Sequence, residues 1–221
     1  MKKINYDLGV DPSNFTIKHK YVYRFFKRLF DIVVSFIAII LLLWLFIILA
    51  ILVKCDSKGP AIYVSERVGK KGKIFKFYKF RTMRQNAEKE LEDLLKYNET
   101  GGITFKMTND PRITRIGKFL RKTSLDELPQ LFNILKGDMT FVGPRPCTVR
   151  EYNLYSEKDK LRLLVPQGLT GYWQIHGRSN TTFDEMINMD IFYIVKRREF
   201  FYDMWLMVRT VFHVAKKDGA E

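Results

Sequence analysis

One uninterrupted apolar run dominates the hydrophobic pattern of the chain. It covers 22 residues, from Ile32 to Val53, and Ser35 is its only clearly polar member. A helix of this length reaches across the roughly 30 Å hydrocarbon core of a bilayer. A buried core helix is the alternative, but such helices are seldom apolar on every side for so long. A signal peptide would begin earlier, be shorter and end at small residues. The pattern therefore predicts a membrane-inserted helix over residues 32–53.

Basic residues flank this run on both sides, between residues 18 and 28 and again between residues 54 and 79. A simple span would place one of these clusters outside the cell, against the preference of lysine and arginine for the cytoplasmic side. A re-entrant, hairpin-like insertion would keep both clusters at the anionic cytoplasmic surface. Large C-terminal domains can override this preference, so the spanning and re-entrant forms both stay open. Aromatic and cationic residues mix over 18–31, which favours a helix start in the headgroup region.

Beyond the run, the patterns predict a mixed domain. Two short apolar stretches, 61–65 and 73–81, flank the turn Gly69-Lys70-Lys71-Gly72 and predict a β-hairpin. Residues 85–97 predict a charged amphipathic helix. We therefore expect an α+β, mostly helical fold, in which a small β-hairpin and amphipathic interfacial helices follow the membrane helix.

Glycine and proline recur through the second half of the chain and indicate where helices and loops begin. Helices are predicted to start near Gly117 and near Ser124, and the glycine-rich stretches 137–147 and 166–180 are predicted to be loops. The last apolar stretch, 200–214, fits a core helix and a helix at the membrane interface equally well.

The charge balance narrows the partners only slightly. The 221 residues carry a formal net charge of +14, from 38 Lys and Arg against 24 Asp and Glu. This balance suits nucleic acid, anionic lipid or phosphorylated substrates. An apolar fraction of 47% excludes general disorder. The two cysteines, Cys55 and Cys147, form neither a disulfide framework nor a metal-ligand spacing, which indicates a reducing compartment.

The candidate chemistry centres on the adjacent carboxylates Asp126 and Glu127. A structural explanation exists, because Ser124 followed three residues later by Glu127 fits a helix capping box. Neighbouring helix residues diverge by about 100°, so the two cannot face each other as an acid and a base. They can divide the work, one as a nucleophile and the other as a ligand of a hard cation such as Mg2+. Arg121, a few residues upstream, could hold a phosphate.

Longer motifs around this pair resemble the bacterial sugar transferase family, the monotopic polyprenol-phosphate phosphoglycosyl transferases. The resemblance covers roughly residues 24–215, and one stretch, FKMTNDPRITRIG (105–117), resembles the branch that initiates exopolysaccharide or O-antigen synthesis. The motifs occur in the family's order: KRLFD (27–31), KFRTM (79–83), SLDELPQLFN (124–133), LKGDMTFVGPRP (135–146) and GLTGYWQIHGR (168–178).

The resemblance implies an activity. A sugar 1-phosphate would pass from a UDP-sugar to undecaprenyl phosphate with release of UMP, at the cytoplasmic face of the bacterial inner membrane. Asp126 would be the nucleophile that forms a covalent phosphosugar intermediate, and Glu127 would help to coordinate Mg2+. Arg121 and Arg145, the arginine of Pro-Arg-Pro, would contact phosphate or nucleotide.

Three further cations are candidate phosphate contacts. Lys79 and Arg81 alternate with aromatic residues along the second predicted strand, and Arg178 lies in a glycine-rich loop. These residues join Asp126, Glu127, Arg121 and Arg145 as the predicted site.

The resemblance also divides the chain into three parts. Residues 1–31 would be a lead-in with an interfacial helix, 32–53 the membrane helix, and 54–221 the cytoplasmic catalytic domain. We expect the chain to be mainly the catalytic unit, without the multi-span N-terminal region of many members of this branch. The expected partners are the UDP-sugar, undecaprenyl phosphate and membrane lipid, and not nucleic acid. Aromatic helices lying on the surface would allow a homodimer.

One position departs from the family's pattern. Members often break the membrane helix with a Ser-Pro pair, but Leu43 and Trp44 stand at the matching positions and the run contains neither Pro nor Gly. A proline-driven kink therefore cannot be carried over, and the segment either spans or re-enters by another device.

Two other functions compete with this interpretation. A membrane-anchored adaptor for nucleic acid or anionic lipid fits the charge, but it does not explain two carboxylates beside Arg121. An ordinary glycosyltransferase would move only the sugar and release UDP, so the released nucleotide separates the two enzymes.

Overall fold

The apolar run does not form one straight helix. The structure is a computed structural model that describes residues 6–99, 102–177 and 181–216. The run is divided between α1, Tyr21–Leu41, and α2, Leu43–Asp56, whose axes differ by 64°. Among the described residues, no single helix has both the length and the hydropathy to cross a bilayer; α1 and α2 meet that requirement only together, across the bend. The membrane helix predicted over residues 32–53 is therefore two helices joined by a bend, which is compatible with the re-entrant form left open above.

The bend between α1 and α2 is explained by packing, since no proline lies at this position. The backbone breaks at Leu42, where φ is −96° and ψ is 6°, and the Leu42 N–H still donates to the Ala38 carbonyl. Beyond the break, α2 buries Leu49 and Val53 against Phe80 and other residues of a small core. A straight continuation of α1 would pull these side chains away from that core, so the buried contacts stabilise the bent path.

The predicted hairpin is present. Strands β1, Ile62–Val68, and β2, Ile74–Phe80, pair antiparallel with Tyr63 opposite Lys79. A short strand β4, Cys147–Thr148, adds to the free side of β1, so the sheet has the order β2-β1-β4.

The middle of the chain contains less regular structure than the sequence suggests. Only Leu91–Leu94 (α3) is α-helical in the stretch 85–97, followed by a 3₁₀ turn at Leu95–Tyr97. Asn86 adopts a left-handed conformation with φ 65°, which interrupts a helix at its predicted start. Helix α4, Arg115–Lys122, begins close to the position predicted.

The two glycine-rich stretches are not simply loops. After α5, Gln130–Lys136, Gly137 turns the chain at φ 92° into strand β3, Met139–Val142, which is buried along its whole length. Strand β5, Gln167–Thr170, pairs parallel with β3. These strands are short and flanked by glycine and proline, so the composition of the two stretches predicts loops and not strands. The connection contains α6, Val149–Asn153, and α7, Glu157–Lys160, and helix α8, Tyr172–His176, follows β5.

The C-terminal helices close the main core. Helix α9, Phe183–Phe192, runs through a π-helical turn at Tyr193–Arg197 and leads to α10, Phe200–Lys216. Helix α10 buries Leu206 completely, whereas Phe201 on another side is 85% exposed. It is therefore a core helix on one face, and the location of its exposed apolar face at a membrane interface stays a prediction.

Candidate active site

The adjacent carboxylates lie in a tight turn between two helices. Ser124 follows the end of α4 in a left-handed conformation, with φ 55°, and Leu125–Glu127 form one 3₁₀ turn before α5. The Ser124 side chain caps neither helix, and its carbonyl accepts the N–H of Glu127 at 3.2 Å. The capping-box interpretation is therefore wrong, because Ser124 ends one helix instead of starting the next. A non-glycine residue in this conformation carries strain, which is frequently found at functional sites.

Without a capping role, Glu127 is available to other groups. Its Oε1 lies 3.5 Å from Arg145 Nη1, a loose ion pair. Burial raises the pKa of Glu127, nearby Asp126 adds to the increase, and Arg145 opposes it. Asp126 itself is 7% exposed, and its carboxylate forms no hydrogen bond or ion pair with another residue that the structure describes.

Helix α4 places Arg121 beside these carboxylates. A Cβ atom on Gly117 would lie 2.0 Å from the Thr82 carbonyl oxygen, so glycine allows α4 to approach the end of the hairpin closely. One helical turn later, Arg121 Nε donates to Thr82 Oγ1 at 3.0 Å. Burial lowers the pKa of Arg121, with the Asp126 charge opposing this effect. Its Nη groups make no hydrogen bond to any other described side chain or carbonyl, so they are free to bind an anion.

One face of the hairpin supplies two more cations. Tyr63 and Arg67 of β1 share this face with Phe77 and Lys79 of β2, because paired and alternate residues lie on the same side of a sheet. Lys79 Nζ lies 5.4 Å from the centroid of the Tyr63 ring, and the Arg67 guanidinium lies 5.2 Å from that of Phe77. Burial, followed by the charge of Arg121, lowers the pKa of Lys79 to about 8. Burial and then Arg145 lower the pKa of Arg67.

The turn Pro144-Arg145-Pro146 completes the cluster from the end of β3. Both prolines are buried, whereas the Arg145 side chain is 47% exposed and extends toward Glu127. Four cationic side chains thus surround two carboxylates, a balance that leaves the site positively charged. Such a site suits a ligand with several phosphate charges.

Comparison with known proteins decides the family. The model of the bacterial sugar transferase family matches residues 22–217. The chain belongs to this family. It is 47% identical over 195 residues to galactosyl transferase CpsE of Streptococcus agalactiae serotype III, covering 87% of this chain and 43% of that protein.

Other members of the family carry related names. The chain is 44% identical over 201 residues to undecaprenyl-phosphate galactose phosphotransferase of Salmonella typhimurium, covering 89% of this chain and 42% of that protein. It is 38% identical over 198 residues to exopolysaccharide production protein ExoY of Rhizobium meliloti, covering 88% and 87%. The chain thus spans less than half of the length of CpsE and the Salmonella protein and most of the length of ExoY.

In this member of the family, the structure brings most of the predicted site residues together. The cluster contains Asp126, Glu127, Arg121, Lys79 and Arg145. Arg178 lies outside the described residues.

Arg81 does not lie with this cluster. Its Nη2 donates to the Ser57 carbonyl at 2.6 Å and to the Val53 carbonyl at 3.3 Å, at the end of α2. A cation at a helix C-terminus stabilises the unpaired carbonyls there. Strand β2 ends at Phe80, so the alternation that relates Lys79 to Arg81 no longer holds at Arg81.

Sequence reasoning missed Arg67 and Thr82. In the sequence, Arg67 stands out only as one of the basic residues that follow the apolar run. The hairpin register would have found it, because Tyr63 pairs with Lys79 and Arg67 lies on the same face of the same strand. Thr82, which orients Arg121, is 2% exposed and gives no signal in the sequence beyond its place in KFRTM.

The two carboxylates fit a magnesium ion shared with a substrate. Among the described residues, no group of three or more His, Cys, Asp and Glu side chains could hold a metal ion. Mg2+ does not require such a group, because it usually binds one or two carboxylates and completes its shell with water and substrate phosphates. Asp126 and Glu127 provide carboxylate oxygens, and the only side-chain partner of the Glu127 carboxylate within the described ranges is Arg145, at 3.5 Å.

Proposed function

We propose that the chain transfers a sugar 1-phosphate from a UDP-sugar to undecaprenyl phosphate and releases UMP. The observation that supports it most is Asp126, a buried carboxylate without a bonding partner among the described residues, in a cluster of four cations. Carboxylates repel phosphate, so a plain anion-binding site would not place one at its centre. A nucleophile that attacks a charge-neutralised phosphorus requires this arrangement.

The proposed reaction has two balanced steps. A carboxylate oxygen of Asp126 attacks the β-phosphorus of the UDP-sugar, and the bond from that phosphorus to the bridging oxygen breaks. UMP leaves with the bridging oxygen and the electron pair, and the sugar phosphate stays on Asp126. A phosphate oxygen of undecaprenyl phosphate then attacks the same phosphorus, breaks its bond to Asp126 and regenerates the carboxylate. One nucleophile can thus meet two bulky substrates in turn.

The remaining residues bind and orient the phosphates. Arg121 has free Nη groups beside Asp126, and Arg145 is the most exposed cation, at the rim of the site. Lys79 and Arg67 approach from the hairpin face. Glu127, with Asp126 next to it, would hold Mg2+, which when bound neutralises part of the pyrophosphate charge.

Nucleotide release tests the proposal. Purified, detergent-solubilised protein is given Mg2+, undecaprenyl phosphate and a panel of UDP-sugars headed by UDP-galactose, because two relatives carry galactose in their names. We expect UMP with at least one donor, and a loss of at least about 10³-fold in Asp126→Asn. The exposed Asp184, changed to Asn, is the matched control. Release of UDP would instead indicate ordinary glycosyl transfer, and no nucleotide with any donor would favour the adaptor.

Isotope exchange tests the covalent intermediate separately. With labelled UMP and UDP-sugar but no undecaprenyl phosphate, a two-step mechanism exchanges label into the UDP-sugar. A mechanism in which both substrates must be bound shows no exchange, and would remove the nucleophilic role from Asp126 without removing the overall reaction.

We further infer that α1 and α2 enter and leave the membrane on the cytoplasmic face. Both ends of the pair are attached to the catalytic domain: Arg28 of α1 donates to the Ile134 carbonyl at 2.6 Å, and Val53 of α2 packs with Phe80. A straight helix of this length would separate its ends by about 30 Å or more.

Thiol labelling tests this path. Native Cys55 and a cysteine introduced as Val22→Cys are exposed near the two ends of the pair, whereas Cys147 is buried. In spheroplasts, we expect a membrane-impermeant maleimide to label neither end before permeabilisation and both ends after it. Labelling of one end in intact spheroplasts would establish a spanning segment.

A further inference from the structure

The turn Pro144-Arg145-Pro146 is held in an unusual way. Proline has no backbone N–H, so these three residues possess only one N–H donor and must be fixed mainly through their carbonyls. Each of the three carbonyls accepts a hydrogen bond. Gly168 N–H donates to Pro144 O at 2.8 Å, Arg162 Nη2 donates to Arg145 O at 3.1 Å, and Arg67 Nη1 approaches Pro146 O at 3.5 Å.

Arg162 is the buried member of this set. Its side chain is 2% exposed, and its Nη2 also lies 2.6 Å from Oδ2 of Asp190, a residue of α9 that is equally buried. Its Nη1 donates to the Tyr155 hydroxyl at 2.9 Å. One guanidinium therefore connects α9, the segment between α6 and α7, and the backbone of the Pro-Arg-Pro turn.

A buried ion pair of this kind needs an explanation other than stability. Removing two charges from water costs free energy that their attraction often fails to recover, and apolar residues of similar volume are frequently as stable. A planar guanidinium with several fixed donors does offer directional contacts to a carbonyl that apolar residues cannot provide.

We propose that Arg162, held by Asp190, is a positioning residue that fixes the Arg145 backbone so that its guanidinium faces Glu127 and the substrate phosphates. The proposal rests on the proposed function, because it assigns Arg162 a role in presenting a substrate contact. Arg162 is buried against the Arg145 carbonyl, so in this proposal it acts through Arg145 and not by contact with the substrate.

Arg162→Lys tests the role with little risk to folding, because lysine keeps a charge for Asp190 but cannot reach three partners at fixed angles. We expect kcat/KM for UMP release to fall by about 10–100-fold, the range for a displaced substrate-positioning group. Arg198→Lys is the matched control: Arg198 is also buried and donates to a carbonyl, that of Lys18, far along the chain from the turn.

A double-mutant cycle separates positioning from general stability. If Arg162 acts through Arg145, then Arg162→Lys should change kcat/KM less than about twofold in an Arg145→Ala background, because the group to be positioned is gone. Effects that multiply in the double variant would overturn the proposal.

A native thiol reports on the turn without any substrate. Cys147 directly follows the turn and is 2% exposed, whereas Cys55 is exposed and can be replaced by serine. In Cys55→Ser protein, we expect Arg162→Lys to speed alkylation of Cys147 several-fold and Arg198→Lys to leave it unchanged. Equal rates in all three proteins would show that Arg162 does not fix the turn.

These readouts keep the two proposals apart. If the unmodified protein releases no UMP but Arg162→Lys still exposes Cys147, the proposed function fails while the contact to the turn stands. If UMP is released normally by Arg162→Lys, the positioning role fails and the proposed function stands.

Discussion

The partly or fully buried cations of this molecule form two groups, which differ in whether the protein itself supplies their acceptors. The site cations, Lys79, Arg121, Arg145 and Arg67, lie close to one another, and burial and mutual repulsion lower the pKa of Lys79, Arg121 and Arg67. The structural cations are bound to the protein itself: Lys27, Arg28, Arg81, Arg162 and Arg198.

The structural cations connect segments that would otherwise separate. Lys27 pairs with Asp203 of α10, and Asp203 also accepts hydrogen bonds from Tyr23 and Tyr193 at 2.7 Å each. Arg28 donates to the Ile134 and Leu135 carbonyls at the end of α5, the helix that follows the turn Leu125–Glu127. These contacts attach α1 to α5 and α10.

A functional cation can be distinguished from a structural one by the acceptors around it. A structural cation has its acceptor inside the protein, and its removal leaves that acceptor unsatisfied. A site cation keeps donors that no acceptor among the described residues satisfies, such as the Nη groups of Arg121. It carries an electrostatic penalty that a phosphate ligand would relieve. The two groups should therefore respond differently to the same substitution.

The largest expected difference is in stability. Lys27→Met leaves Asp203, which is 0% exposed, with a buried charge and no cation, and should lower the free energy of unfolding by about 3–5 kcal/mol. Lys79→Met is the matched control. It removes a cation that burial and Arg121 disfavour, and should change stability by less than about 1 kcal/mol while abolishing much of the activity. Equilibrium unfolding in detergent measures both free energies. Equal losses of stability in the two variants would contradict the division into site cations and structural cations.

A second pair of substitutions separates substrate binding from helix capping. Arg67→Lys should raise the KM for the UDP-sugar by about 10-fold or more, because lysine cannot reproduce the guanidinium contacts to phosphate. Arg81→Lys should leave KM nearly unchanged and lower the free energy of unfolding by about 1–2 kcal/mol, because it weakens the contacts to Ser57 and Val53. Initial rates over a range of UDP-sugar concentrations, with melting curves, test the pair. If Arg81→Lys raised KM and Arg67→Lys did not, Arg81 and not Arg67 would belong to the substrate site.

The sequence predicted the components of the site better than their arrangement. Asp126, Glu127 and Arg121 lie in one short stretch, so their proximity follows from local structure. Arg145 and Lys79 reach the same place only through tertiary packing, and the resemblance to the family supplied what periodicity could not. Arg81 shows the limit of strand alternation, which holds for Lys79 but ends with β2 at Phe80.

The bend between α1 and α2 could not be predicted from local composition. No proline or glycine lies near Leu42, and the run is uniformly apolar. The bend results from long-range contacts, in which Leu49 and Val53 pack against Phe80 of the hairpin. Ser124 shows the same limit on a smaller scale, since a left-handed residue and a capping residue look alike in the sequence.

The smallest expected effect is a pH dependence that belongs to Lys79. Its pKa is lowered to about 8 from an ordinary value of 10.5, so its charge is present below pH 8 and is lost as the pH rises through that value. Because the charged form binds phosphate, kcat/KM for the UDP-sugar should fall several-fold between pH 7 and pH 9, with an apparent pKa near 8. Lys79→Arg keeps a charge over this whole range and should flatten that limb, since arginine stays protonated. An unchanged alkaline limb in Lys79→Arg would assign the titration to another group and would leave Lys79 with a cationic role that does not depend on its lowered pKa.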